Sequence, residues 1–265
     1  MAPLMAEPHF QYIYGPVYSW RLGMSLGIDP LNKEQKYCSF NCTYCQLGRL
    51  GDLVQERRIF VPVEAIIEEI KALPKDCSVD YFTFSGNGEP TLAANLGEMI
   101  RAVKALHAGK VAVITNSATI TLPDVRKDLR SADFILFKID APNQEIFESL
   151  NQPSKGLTLS AIIEGIREFK KTFEGKLALQ MMFVEKNKAC AKEMADIARA
   201  IAPDEVQLNT PLRPSPEKPL TALDMAKIKE HFFGMNILSV FEEEKKDYRP
   251  FNDALTAKRH GRYKE

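Results

Sequence analysis

Short apolar runs alternate with amphipathic stretches through most of this chain, and that alternation restricts its fold more than any other feature. Val79 to Phe84, Val111 to Ile114, Ala132 to Ile139, Leu177 to Val184 and Glu205 to Asn209 read as strands, with Ser25 to Ile28 as a shorter one ahead of them. Between them, apolar residues recur at helical spacing. Val63, Ile66, Ile67, Ile70 and Leu73 share one face, as do Leu92, Leu96, Met99, Ile100, Val103 and Leu106. Further helices are expected near 157–173, 188–201 and 221–233. Strands separated by helix-length segments pair in parallel, because each helix carries the chain back across the sheet. Six such units predict an α/β fold, an open partial (β/α)6 barrel.

In folds of this kind, ligands bind at the carboxyl ends of the strands. The polar clusters of the chain fall there. Ser85-Gly-Asn-Gly-Glu-Pro-Thr91 follows the second strand, and Thr115-Asn116-Ser117 the third. Lys138 and Asp140 close the fourth, Gln180 and Met182 lie on the fifth, and Asn209-Thr-Pro211 ends the sixth.

The first strand leads to three cysteines within eight residues, Cys38-Ser-Phe-Asn-Cys42-Thr-Tyr-Cys45. The whole chain has five cysteines. Three thiolates on one loop can bind three irons of a four-iron cluster and leave the fourth open for chemistry. Structural zinc is the alternative, but it takes four ligands, usually as paired C-x2-C units, and only Cys42 and Cys45 form one. Cys190 shares an apolar helical face with Met194 and Ile197, which suits core packing. Cys77 is assigned no role. The histidines at 9, 107, 231 and 260 are too scattered to form a metal constellation.

Lysine plus arginine equals aspartate plus glutamate, 35 each, so overall charge gives no argument for nucleic acid. No apolar run is long enough to span a membrane, and the first residues lack a basic flank and apolar core. An odd cysteine count suits a reducing compartment. These features point to the cytoplasm and to no membrane partner. Residues 1–240 are read as one domain, with residues 10–28 as a lid. Residues 241–265 are read as a charged C-terminal tail, solvated or frayed, with the basic residues Lys258, Arg259, Arg262 and Lys264.

The C-x3-C-x2-C spacing, with aromatic Tyr44 before the third cysteine, resembles the signature of the radical S-adenosylmethionine (SAM) superfamily. Gly86-Asn87-Gly88-Glu89-Pro90 resembles that superfamily's GGEP motif, with Asn87 in place of a glycine. Residues 15–28 are similar to the GPVPSRRLGxSLGI opening of a small radical SAM family grouped near the archaeal wyosine-base tRNA enzymes. Tyr18 stands where that pattern has proline and Trp20 where it has its first arginine. The likeness covers nearly the whole chain.

The resemblance implies a [4Fe-4S] cluster on Cys38, Cys42 and Cys45, with SAM on the open iron. Tyr44, Gly86, Asn87, Gly88 and Glu89 would border SAM, Glu89 as the acidic contact to its amino group. Thr115, Asn116 and Ser117 would meet its ribose and carboxylate. Lys138 and Asp140 either join them or pair with each other or with Arg21. Gln180 and Asn209 are further candidates. Arg213 is either a substrate-anion contact or a solvated cation. The resemblance also implies a low-potential donor of ferredoxin or flavodoxin type. A tRNA base is the first substrate expectation, although wyosine enzymes carry cysteines for a second cluster that this chain lacks. A peptide substrate, including a glycyl-radical enzyme, is the rival. A non-catalytic electron carrier or sensor is the third reading.

Overall fold

Apolar strands too short to stand alone are stacked side by side and covered by helices in this protein. The computed structural model describes residues 10–49, 53–74, 77–106, 109–242 and 246–260. The chain enters as a hairpin of β1 (Ile13–Ser19) and β2 (Gly23–Ile28). It continues through α1 (Val63–Lys71), β3 (Tyr81–Phe84), α2 (Leu96–Ala105) and β4 (Lys110–Thr115). Next come α3 (Pro123–Leu129), β5 (Phe134–Lys138), α4 (Gln144–Leu150) and α5 (Leu159–Lys170). Then follow β6 (Lys176–Met182), α6 (Ala191–Ile201), β7 (Glu205–Asn209), α7 (Ala222–Glu230), β8 (Ile237–Ser239) and α8 (Asp253–His260).

The eight strands form one sheet in sequence order. β1 is antiparallel to β2, and every later pair is parallel. The sheet is a partial TIM barrel, as the alternation predicted. Its six expected units are β2 to β7. The hairpin strand β1 and the three-residue β8 extend it at either edge.

Register aligns the functional ends. Lys138 pairs with Gln180 across β5 and β6, and Met182 with Asn209 across β6 and β7. The helices bury the faces their spacing assigned: Ile66 and Ile70 on α1, and Met99, Ile100 and Val103 on α2. On α5, Ile162, Ile166 and Phe169 are buried, and the Thr158 side chain caps the helix by accepting the Ala161 amide. Two expected helices begin later than their apolar spacing suggested. A 3₁₀ turn at Pro90–Leu92 precedes α2, because the Glu89 carboxylate binds the Thr91 amide and tightens the chain there. A second 3₁₀ turn, Lys188–Cys190, precedes α6. Cys190 is therefore half-buried at the start of that helix, against the core.

The C-terminal segment departs from the solvated tail expected of 241–265. Residues 253–260 form α8, which packs on β1. The Gly15 amide donates to Thr256 Oγ1 at 3.0 Å, and the Phe251 amide donates to the Gly15 carbonyl at 2.8 Å. Arg259 enters the interior because a partner waits there: its Nε lies 2.9 Å from Asp29 Oδ2, with both side chains at most 2% exposed. His9, His107, residues 243–245, Arg262 and Lys264 lie outside the described residues.

Candidate active site

The cysteine loop is held from both sides by backbone hydrogen bonds. On one side the Tyr37 amide donates to the Asn87 carbonyl at 2.8 Å, and the Glu89 amide donates to the Tyr37 carbonyl at 2.9 Å. This pairing requires Gly88. A β-carbon there would lie 1.7 Å from the Tyr37 oxygen. On the other side the end of α4 accepts the loop: the Asn41 amide donates to the Asn151 carbonyl at 3.0 Å, and the Thr43 amide to that of Leu150 at 2.9 Å. Ser154 completes this clamp by donating its amide and its hydroxyl to the Ser39 carbonyl.

Two amides reach the sulfurs. Asn116 Nδ2 lies 3.4 Å from Cys38 Sγ and 3.0 Å from Ser39 Oγ. Asn151 Nδ2 lies 3.5 Å from Cys42 Sγ. Amide donors on cysteine sulfur stabilise thiolate and tune any cluster it holds. Burial, followed by the nearby Glu89 carboxylate, pushes the Cys38 thiol up to about 12. Burial also raises Cys42. Iron must therefore displace protons from these thiols on binding. Among the described residues, no three His, Cys, Asp or Glu side chains are arranged to hold a single metal ion. A cluster attaches each thiolate to a different iron and needs no such convergence. Three cysteines on a pinned loop, with amide donors aimed at two of them, fit that group.

Tyr44 anchors a buried network behind the loop. Its hydroxyl donates to Asp140 Oδ2 and accepts from Lys138 Nζ at 3.0 Å and from Asn151 Nδ2 at 3.2 Å. Asn151 also donates to Asp140 Oδ2 at 2.9 Å, and Lys138 Nζ lies 3.8 Å from the same carboxylate. Burial and then Asp140 hold the Tyr44 phenol well above its ordinary range. Burial opposes the Lys138 charge, but Asp140 and the Cys42 and Cys45 sulfurs outweigh it and raise that amine.

Glu89 braces three segments. Its Oε1 accepts from the Thr91 amide, the Thr91 hydroxyl and Thr115 Oγ1, the last at 2.7 Å. Its Oε2 accepts from the Asn116 amide at 2.6 Å. The carboxylate is 1% exposed, and burial raises its pKa against these bonds. The Cys38 partner Asn116 is thus set in place by the carboxylate of the glycine-rich turn.

These groups surround a cavity of about 340 Å³. Tyr44, Gly86, Gly88, Glu89, Thr115, Asn116, Lys138, Gln180 and Asn209 line it beside the three cysteines. Three expected residues are not in its wall. Asn87 is buried away from the cavity and donates to the Lys33 carbonyl at 3.0 Å. Ser117 exchanges hydrogen bonds with the Lys138 backbone. Asp140 acts behind Tyr44 and accepts the Met182 amide. Lys138 and Asp140 therefore meet largely through Tyr44. Arg213 also lines the cavity and donates to Gln46 Oε1 at 3.4 Å. Sequence reasoning missed Asn151, whose only signal was an amide after a helix, ahead of a Gln-Pro pair.

The family pattern described as the radical SAM superfamily matches residues 35–198. The chain belongs to the radical SAM superfamily. UPF0026 protein slr1464 of Synechocystis is 40% identical over 208 residues, 78% of each chain. UPF0026 protein MJ1312 of Methanocaldococcus jannaschii is 36% identical over 77% of this chain and 65% of its own. Membership of the UPF0026 group follows. A solved structure of Streptococcus suis SuiB with its precursor peptide SuiA superposes with a TM-score of 0.62 at 16% identity, over 83% of this chain. The present chain spans 50% of that protein. anSMEcpe with bound AdoMet gives 0.60 at 19% identity, over 82% of this chain and 64% of that one. At these identities the likeness shows the fold. The chain is a radical SAM enzyme, and the cofactors of its superfamily are a four-iron, four-sulfur cluster and SAM. Among the described residues no helix is long and apolar enough to cross a membrane.

Proposed function

We propose that Cys38, Cys42 and Cys45 hold the cluster, that the cavity beside them holds SAM, and that the substrate is a tRNA base. When bound, the two cofactors supply a 5′-deoxyadenosyl radical that removes a hydrogen atom from substrate. The observation that carries the site assignment is the double clamp on the cysteine loop, with Asn116 and Asn151 aimed at two sulfurs. The chain's own work is positional. Gly86, Gly88, Glu89, Thr115 and Asn116 line the cavity, and Lys138 adds a cation to the same lining, suited to the SAM carboxylate. Apolar Phe40 and Met182 line the same cavity and help exclude water.

The nucleic-acid reading draws support from the wyosine-like opening sequence. A more distant relative, the probable GTP 3′,8-cyclase of Metallosphaera sedula, is 24% identical over 64% of this chain, and its name specifies a nucleotide substrate. A reductant of ferredoxin or flavodoxin type would supply the electron.

The test is anaerobic reconstitution, reduction with dithionite and assay of 5′-deoxyadenosine from SAM, alone and with bulk tRNA or peptides. Product that disappears in Cys42→Ala and rises with tRNA supports the full reading. Product that rises only with peptide replaces the substrate. Absence of product from protein with a verified cluster favours an electron carrier.

A further inference from the structure

A compact group of rings and cations lies outside the cavity, beside the first cysteine. The rings of Tyr37 and Phe60 meet edge to face, with centroids 5.0 Å apart. The Arg58 guanidinium carbon lies 5.2 Å from the Tyr37 centroid and 5.1 Å from that of Phe60, and Lys33 Nζ lies 5.3 Å from the Phe60 centroid. Ile59, between Arg58 and Phe60 in the chain, is 66% exposed. None of these five residues lines the cavity. Their backbone is fixed to the same turn that holds the cysteine loop. The Asn87 side chain donates to the Lys33 carbonyl, Tyr37 pairs with residues 87 and 89, and Arg58 exchanges backbone hydrogen bonds with Leu92 and Ala94. Neighbouring Arg57 is paired with Asp124 and Asp128, whereas among the described residues no carboxylate pairs with Lys33 or Arg58. The exposed Glu34 and Glu56 adjoin the group in the chain without forming ion pairs to it.

A substrate must enter the cavity to meet SAM, but an electron need not. Tyr37 is joined to Cys38, so the ring group begins one residue, about 3.8 Å from Cα to Cα, from a proposed cluster ligand. An apolar centre bordered by cations matches a partner with an apolar centre bordered by carboxylates. An acidic flavodoxin presents such a face, with the dimethylbenzene edge of its flavin at the centre. We infer that Lys33, Tyr37, Arg58, Ile59 and Phe60 form the docking surface for an acidic flavodoxin, which delivers its electron at Cys38. One electron leaves the flavin hydroquinone, which becomes a semiquinone, and enters the oxidised cluster; no atom passes between the proteins. This rests on the assignment of the cluster to Cys38, Cys42 and Cys45 and adds the surface through which it is reduced.

Binding of oxidised flavodoxin to anaerobic holoenzyme is measured by calorimetry, and cluster reduction by flavodoxin hydroquinone by stopped-flow absorbance. The double variant Lys33→Glu with Arg58→Glu should weaken binding and slow reduction at least about ten-fold at low salt, the scale on which a reversed field alters association. The gap from wild type should shrink as salt rises. Ile59→Ser should weaken binding at every salt concentration, because its contribution is apolar. Reduction by dithionite, a small molecule that needs no such surface, should match wild type in both variants. The docking surface is overturned if wild type does not bind flavodoxin, or if the double variant binds it and is reduced by it as wild type is. A ferredoxin that binds more tightly than flavodoxin, and loses that advantage in the double variant, replaces the partner. Loss of tRNA binding in the double variant with flavodoxin binding intact would make the patch an RNA contact instead. Failure of the cluster assignment would appear separately, as protein that holds no iron through the three cysteines and shows no reduction by dithionite either.

Discussion

Gly88 and Tyr37 are paired so closely that the Tyr37 carbonyl occupies the space a side chain at Gly88 would need. The contact joins the cysteine loop to the glycine-rich turn, two segments about fifty residues apart. Gly88→Ala would force backbone against backbone, at a φ of +157° that disfavours any side chain. The expected outcome is a folded barrel with a displaced loop. Iron and sulfide content after reconstitution should fall well below wild type, while far-ultraviolet circular dichroism stays unchanged. Full cluster loading in the variant would show that the pairing is dispensable.

Asn151 couples the Cys42 sulfur, a proposed cluster ligand, to the buried Tyr44–Asp140 pair. A hydrogen bond to Cys42 sulfur stabilises the more negative, reduced cluster more than the oxidised one. Asn151→Leu should therefore lower the reduction potential. A bond worth about 1 kcal/mol corresponds to roughly 40 mV for one electron. An EPR-monitored potentiometric titration reads the shift directly, and an unchanged potential would assign Asn151 a packing role only.

The Arg259–Asp29 pair fastens α8 to the barrel interior. Removing one partner of a buried ion pair costs about 3–5 kcal/mol, because the other charge is stranded. Arg259→Leu should lower the melting temperature and expose the chain after residue 246 to limited proteolysis. Asp29→Asn combined with Arg259→Leu should recover part of the loss. A pair of independent, additive losses would contradict a direct coupling.

Asp204 gives the protein part of its acid sensitivity. Burial opposes its charge, but Lys170 Nζ lies 2.7 Å from both carboxylate oxygens and the Leu177 amide adds a third bond, so its pKa is lowered on folding. A carboxyl lowered on folding stabilises above its unfolded pKa, and that stability is lost as pH falls through the folded value. Asp204→Asn should therefore melt below wild type at neutral pH. The gap should narrow as pH falls below about 4, where the unfolded carboxyl protonates. A constant gap across pH would rule out the charge as its cause.

Much of this architecture was legible in the sequence because helix and strand impose different periods on apolar residues. The six central strands and the long helices α1, α2 and α5 announced themselves that way. The seven-residue helices α3 and α4 and the three-residue β8 are too short for a period to develop. The cysteine spacing and the Gly86-to-Glu89 turn marked the site, since few other structures call for those residues in that order. What the sequence could not reveal was which polar groups face one another. Asn87 and Asp140 sit in promising motifs yet turn away from the cavity, whereas Asn151, in an unremarked helix end, touches the Cys42 sulfur. Arg259 looked like part of a basic tail because nothing local shows that Asp29 lies within reach. Such pairings, some spanning more than two hundred residues, are decided by the closing of the fold.

The double clamp on the cysteine loop has a consequence for how the enzyme ages. Its anchors are backbone hydrogen bonds to residues 87–89 and 150–154, and none of them passes through iron. On the proposed assignment, oxygen that strips the metal would leave the nest standing, with its cysteines reprotonated in place. Damage of that kind is repairable by fresh iron and sulfide, without refolding the chain or making a new one.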